Sequence, residues 1–247
     1  MSGDGLQDFE YGGQRFRVDV SKGKNRRPSD NEAFTIVKGK ELIAFYEELA
    51  SKIRPKTVFE VGVFQGGSYV LLDQIFKPEK MTAVEIDKAP VQPLQDYIAA
   101  RQDRSVHWGT SQANEAALQK IVDNDLGGRL DLVVDDASHN YELTRKTFEV
   151  LFPRLSPGGS YVIEDWAWAH FPFWQNDDSP WREQPALTNL IFQIIVMIGS
   201  TSRIKSMDVH THAVVITKHP EEKAVRHFNS AAMWDDLTMR GRPLPKI

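Results

Sequence analysis

From Thr57 onward the chain repeats one arrangement: a short apolar run, then a stretch whose apolar positions recur every three or four residues. The runs TVFEVGV (57–63), MTAVEID (81–87), SVHWGT (105–110), RLDLVVDD (129–136) and GSYVIEDW (159–166) have the length and β-branched content of buried strands. Between them GGSYVLLDQIF, APVQPLQDYIAAR, NEAALQKIVDN and YELTRKTFEVLFPRL carry helical spacing. A helix over 39–53, stopped by Pro55, precedes the first strand, and another over 185–200 follows the fifth. The last pair, RIKSMDV and HAVVITKH, is joined too tightly for a helical crossover and predicts an antiparallel hairpin. Together these elements predict an α/β fold, a doubly wound and mostly parallel seven-stranded sheet with a terminal antiparallel hairpin. The first 35 residues, rich in Gly, Arg, Asp and Ser, read as an N-terminal arm or lid outside the main core, with the domain itself over 36–247.

Composition narrows the function. A chain of 247 residues, 41% hydrophobic, suits one domain with a full core. The net charge of -4 argues against nucleic acid as a partner, and the short basic cluster KGKNRRP (22–28) reads as a solvated loop. No cysteine is present, which excludes disulfides and thiolate metal sites and fits a reducing compartment. The start, MSGDGLQDFEYGG, lacks the pattern of a signal peptide, and LIFQIIVMIG (190–199) is too short to span a bilayer. The expectation is a cytoplasmic protein with no membrane partner.

Ligands on doubly wound sheets collect at the carboxyl ends of the strands, and the chemistry-bearing residues fall there. FEVGVFQGGS holds Glu60, Gly62, Gly66, Gly67 and Ser68. Gly62 permits a sharp turn off the strand, and Gly66 and Gly67 allow a ligand to approach the backbone at a helix start. The G-x-x-x-G-G spacing is not the dinucleotide fingerprint, so a pyrophosphate cradle is disfavoured. Glu85 ends the second strand, where an acid accepts hydrogen bonds from a ribose diol, and Asp87 is the alternative or a helix cap. Ser111 and Gln112 follow the third strand.

The fourth and fifth strands end in the pairs Asp135-Asp136 and Glu164-Asp165. Side chains alternate along a strand, so one member of each pair faces a site while the other turns away. Carboxylates gathered at one rim require a counter-charge, and oxygen donors without cysteine point to magnesium or manganese over zinc. The bland reading is a set of helix caps and turn residues. His139, three residues after Asp136, is a candidate general base. Beyond the fifth strand lies an aperiodic segment with Trp166, Trp168, His170, Trp174 and Trp181, suited either to an acceptor's apolar face or to anchoring its own loop.

The set EVGVFQGGS, VEID, DDASH and IED resembles class I S-adenosylmethionine-dependent methyltransferases. More narrowly it is similar to the metal-dependent sugar O-methyltransferases of the macrocin and mycinamicin type. PSD near Asp30, GGS and DDASH also resemble the cephalosporin hydroxylase family. The similarity runs over roughly residues 28 to 220. It implies a Rossmann-like fold with S-adenosyl-L-methionine as methyl donor. Glu60, Gly62 and Ser68, with Gly66 and Gly67, would surround the donor's methionine part, Glu85 its ribose, and Ser111 and Gln112 its adenine. Asp135 is assigned to the donor side. An aspartate common after the third strand in such enzymes is missing here. The resemblance makes Asp136, Glu164 and Asp165 the ligands of Mg²⁺, with Mn²⁺ as substitute, and His139 the base. The implied activity is O-methylation of a sugar or glycosylated small molecule at one of two vicinal hydroxyls. The metal would acidify the hydroxyl, His139 would remove its proton, and the oxygen would attack the methyl in line. Trp166, Trp168, His170 and Trp174 would meet the acceptor. The alternatives are a catechol-type or other small-molecule O-methyltransferase, and a donor-binding, non-catalytic tailoring partner. A homo-oligomer is compatible with either.

Overall fold

The computed structural model of the chain describes residues 8–20, 26–177, 179, 182, 184–200 and 202–221. In chain order the elements are β1 (Phe9–Tyr11), β2 (Gln14–Val18), β3 (Phe34–Ile36), α1 (Lys40–Lys52), β4 (Thr57–Val61), α2 (Gly67–Phe76), β5 (Lys80–Glu85) and α3 (Gln92–Ala99). They continue with β6 (Arg104–Trp108), α4 (Glu115–Asp125), β7 (Leu130–Asp135), α5 (Tyr141–Leu151), β8 (Leu155–Glu164), α6 (Thr188–Ser200), β9 (Ile204–Val209) and β10 (Ala213–Lys218). The seven-stranded sheet runs β6-β5-β4-β7-β8-β10-β9. Strands β4 to β8 are parallel to their neighbours among themselves, and β10 is antiparallel to both β8 and β9. The predicted fold and terminal hairpin are therefore present.

Helices cover both faces of this sheet, which is why its central strands are apolar almost throughout. Leu118, Ile121, Phe148, Leu190 and Ile194 from α4, α5 and α6 pack on one face. Leu42, Tyr46, Tyr69, Leu72 and Leu94 from α1, α2 and α3 pack on the other. Helix α1 buries Leu42, Ile43, Tyr46, Leu49 and Ala50, the one-sided stripe expected of a 3.6-residue period. The chain passes from β4 outward through β5 and β6, then returns to β7 on the other side of β4. This reversal opens a crevice at the carboxyl ends of β4 and β7.

Two expectations change. Among the described N-terminal residues, 9–18 and 34–36 pack into the core, while the rest of the expected arm, 1–7 and 21–25, lies outside the described residues. Strands β1, β2 and β3 form a three-stranded sheet, with β1 and β2 joined as a hairpin through Gly12 and Gly13 at positive φ. Phe16 and Ile36 are fully buried in the same apolar cluster as Tyr46 and Tyr69, and Phe9 stacks on Phe16 at 5.0 Å. Alternating apolar positions within a polar composition are the physical reason: each such side chain buried against α1 and α2 contributes roughly 1.5–3 kcal/mol. The second change is at α5, which ends at Leu151 instead of continuing to 155. Pro153 lies in a short 3₁₀ turn that hands the chain to β8, already extended from Leu155.

Candidate active site

A cleft of about 870 Å³ opens at the carboxyl ends of β4, β5, β6 and β7. Glu85, at the end of β5, is fixed before any ligand arrives. Its Oε2 accepts the backbone N–H groups of Val63 (3.0 Å) and Phe64 (2.8 Å), and its Oε1 accepts that of Asp87 (3.0 Å). The remaining lone pairs of this preoriented carboxylate are available at the cleft wall, which suits a diol. Gln112 and Ser111 line the same cleft, and the Gln112 amide donates to Thr147 Oγ1 at 3.0 Å. Pro28 and Ser29 from the N-terminal segment form part of the wall. Ser29 is tied down by donating its backbone N–H to Gln65 Oε1 (3.0 Å) and its hydroxyl to the Gln65 carbonyl (2.6 Å).

Of the glycines, Gly62 lines the cleft, at φ +86°. A Cβ there would lie 2.6 Å from the Asp136 carbonyl oxygen, so this glycine lets the loops after β4 and β7 close on each other. Gly66 and Gly67 are also packing positions. A Cβ on Gly66 would strike Leu94, and one on Gly67 would come 2.3 Å from the Thr35 carbonyl oxygen. They serve the packing of α2 against α3 and β3, and like Ser68 they do not line the cleft.

Glu60, in the middle of the sheet, is fully buried. Neither carboxylate oxygen has a hydrogen-bond partner of good geometry among the described residues. Burial pushes its pKa up to about 8. The nearby Ser68 hydroxyl and the Lys38 cation favour the charged form without offsetting that cost. A buried acid with unused acceptors is a feature that a cationic or N–H-bearing ligand group would satisfy.

The acid pairs separate as side-chain alternation requires. Asp135 turns into the core, where Tyr161 donates to its Oδ2 at 2.7 Å; it does not line the cleft. Burial raises its pKa to about 7 against the pull of the Tyr161 hydroxyl. The residue expected on the donor side is thus bonded to a core tyrosine. Asp136 turns the other way and lines the cleft. Its Oδ1 lies 3.9 Å from His139 Nε2, which is also 3.9 Å from Asp165 Oδ2. One donor atom from each of Asp136, His139 and Asp165 lies within 4.8 Å of the other two. Two carboxylates and an imidazole at this spacing can hold a divalent cation.

Glu164 is not one of this trio but is joined to it through Lys38. Lys38 Nζ donates to its Oε2 at 2.5 Å and to Asp136 Oδ2 at 2.7 Å, and the Tyr46 hydroxyl donates to its Oε1. Burial, then the Asp136 charge, pushes Glu164 upward, and the same two causes push Asp165 upward. Burial alone would depress Lys38, but Asp136 and Glu164 outweigh it and raise the ammonium above its usual range. Burial lowers the His139 pKa, and Lys38 adds to that effect while Asp136 opposes it. The imidazole is thus held neutral and able to accept a proton.

His139 and Asp165 both have positive φ, at 51° and 52°. With Phe64 at the cleft, they make three of the four non-glycine residues in this conformation among the described residues. Such backbone strain gathers where side chains must be aimed. The Trp168 ring lies 4.4 Å from the His139 ring. Trp166 donates its indole N–H to the His210 carbonyl (3.0 Å), and His170 pairs with Thr188 Oγ1 (2.8 Å), so both are held by the protein itself. Trp174 lies in a 3₁₀ turn, and Trp181 is outside the described residues. Lys38 and Tyr46 were not foreseen from sequence. A lone lysine after FTIV and a tyrosine on an apolar helix face carry no spacing signal, because their partners are about a hundred residues away.

Comparison with known proteins bears on this geometry. Residues 59–166 match the family model of a methyltransferase domain. A rhamnosyl tetracenomycin-C 2'-O-methyltransferase from Streptomyces olivaceus is 31% identical over 141 residues, covering 53% of this chain and 35% of that protein. Demethylmacrocin O-methyltransferase of Streptomyces fradiae is 38% identical over 68 residues, covering 28% of this chain and 17% of the relative. The chain thus spans about a third or less of the length of these relatives. Among solved structures, the MycE methyltransferase of the mycinamycin pathway aligns with a TM-score of 0.57 at 22% identity, over 74% of this chain and 50% of MycE, a likeness of fold. Residues 59–166 thus resemble a methyltransferase domain, and the chain is similar over part of its length to O-methyltransferases of the macrocin and rhamnosyl type.

Proposed function

We propose that the protein transfers a methyl group from S-adenosyl-L-methionine to a hydroxyl of a sugar or glycosylated small molecule, with a divalent cation at Asp136 and Asp165. One observation carries this reading: Asp136 belongs both to the wall of the donor-sized cleft and to the group of converging ligand atoms. Donor and metal would therefore be neighbours. The relatives' names point to sugar hydroxyls, and the MycE structure was solved with Mg, SAH and mycinamycin VI.

The chain's residues fit both groups. Glu85, preoriented by three backbone N–H groups, would take the ribose, and the orphaned Glu60 carboxyl faces the demand for a hydrogen-bonding or cationic partner on the methionine side. Asp136 and Asp165 would hold the cation, with His139 beside them. The donor supplies an electrophilic methyl group, and the cation, when bound, supplies acidification of the acceptor's hydroxyls. His139, kept neutral by burial, takes the proton of the reacting hydroxyl, and its ring is steadied by Trp168. The cleft would hold the donor and the cation would orient the acceptor, so positioning would supply much of the rate.

The test is methyl transfer to rhamnosylated acceptors and, separately, to catechol, with Mn²⁺ or with EDTA, in wild type and His139→Gln. The expected result is saccharide methylation, abolished by EDTA, with turnover in His139→Gln reduced by about 10²–10⁴ and donor affinity retained. Methylation of catechol but not saccharide, or metal-independent turnover, would refute the respective part of the proposal.

A further inference from the structure

The acid group already has a resident cation. Lys38, in the turn between β3 and α1, has a side chain only 4% exposed, and its Nζ contacts Asp136 Oδ2 and Glu164 Oε2. A buried ammonium is unfavourable unless it is paired, and this one is paired twice, so it is a built part of the site. Tyr46, from α1, donates to the other oxygen of Glu164. Both Glu164 oxygens are thus taken by donors from one N-terminal stretch. Asp136 is divided: one oxygen meets Lys38, and the other faces His139. The three groups whose ligand atoms converge are Asp136, His139 and Asp165, and Glu164 is not among them.

We infer that Lys38 is a built-in cation that removes Glu164 from the metal-ligand set and sets the site's divalent-ion affinity below what its carboxylates alone would give. The inference rests on the donor-and-metal reading above and deepens it by naming the residue that tunes the metal. Two physical effects act together. A fixed positive charge bonded to Asp136 repels a second cation at the same carboxylate; at an effective dielectric constant of about 20 and a few ångströms, the penalty exceeds a factor of ten in affinity. Withdrawing Glu164 also leaves the cation one charged oxygen ligand fewer, which lowers its affinity further while His139 stays free to act as the base. Because Lys38 and Tyr46 come from β3–α1, the metal site depends on the docking of a segment that precedes the matched methyltransferase region.

The experiment is Mn²⁺ binding to the full chain with S-adenosylhomocysteine present, read by calorimetry and by electron paramagnetic resonance of the free ion. Wild type is compared with Lys38→Met and with Lys38→Gln, which removes the charge but keeps a hydrogen-bond donor should the methionine variant not fold. The expected result is Mn²⁺ affinity at least about tenfold higher in the variants, with a larger Mn²⁺-induced rise in melting temperature than in wild type. Equal or weaker binding in the variants, with wild type binding normally, overturns the role of Lys38 and leaves the metal site standing. Binding in the variants but not in wild type upholds Lys38 and overturns metal dependence in the native chain. Binding in neither overturns both.

Discussion

Glu60 offers a quantitative test because burial alone makes it unusual. Its carboxyl is fully buried without a hydrogen-bond partner of good geometry, and its pKa is pushed from 4.5 up to about 8. At ~1.4 kcal/mol per pH unit, that gap corresponds to about 5 kcal/mol between folded and unfolded chain. The folded protein holds the proton more tightly, so the unfolded chain binds fewer protons across the window from 4.5 to about 8. Stability therefore falls as pH rises through that window and levels off beyond it. Glu60→Gln removes the titration and keeps the shape. Its amide brings its own unsatisfied groups, at a cost of roughly 1–3 kcal/mol that is the same at every pH. Denaturant unfolding of both proteins at pH 5, 7 and 8.5 isolates the carboxyl. Relative to its value at pH 5, the wild type should lose several kcal/mol more than Glu60→Gln by pH 8.5, and saturating S-adenosylhomocysteine should recover part of that loss in wild type only. Parallel pH profiles for the two proteins would refute the buried, unpartnered state of Glu60.

Two further substitutions separate positioning from direct contact. Gly62→Ala places a methyl group 2.6 Å from the Asp136 carbonyl oxygen at a positive φ, and should cost roughly 1–3 kcal/mol in unfolding free energy and weaken Mn²⁺ binding more than tenfold by displacing Asp136; an unchanged Mn²⁺ isotherm would contradict this. Tyr161→Phe leaves Asp135 buried without its donor, so a loss of about 1–3 kcal/mol in denaturant unfolding should accompany unaltered binding of S-adenosylhomocysteine and Mn²⁺, and loss of nucleoside binding would place Asp135 at the donor site.

The sheet was legible because its signal is periodic and local. Each buried strand from β4 to β8 and the tight β9–β10 connection can be read within a few residues. The acids at the ends of β5, β7 and β8 were legible because a strand end in a doubly wound sheet is a predictable place. What sequence left open depended on contacts distant along the chain. Alternation said that Asp135 and Asp136 diverge, but only Tyr161 on β8 decides which one turns inward. The close approach of Leu94 and Thr35 to the glycines of GGS is a packing demand that no local pattern announces. Lys38 reaches carboxylates 98 and 126 residues away, and no local pattern encodes that. The N-terminal sheet was obscured by its polar composition, although the Gly12-Gly13 turn between Tyr11 and Gln14 was a readable hairpin signal.

The most direct measurement of the joined donor and metal sites is a pair of calorimetric titrations, S-adenosylhomocysteine and then Mn²⁺, on wild type and on Asp136→Ala. The shared wall predicts that wild type binds both and that the variant keeps the nucleoside while losing at least about tenfold in Mn²⁺ affinity. An unchanged Mn²⁺ isotherm in Asp136→Ala, or no Mn²⁺ binding to wild type with the nucleoside in place, would contradict it.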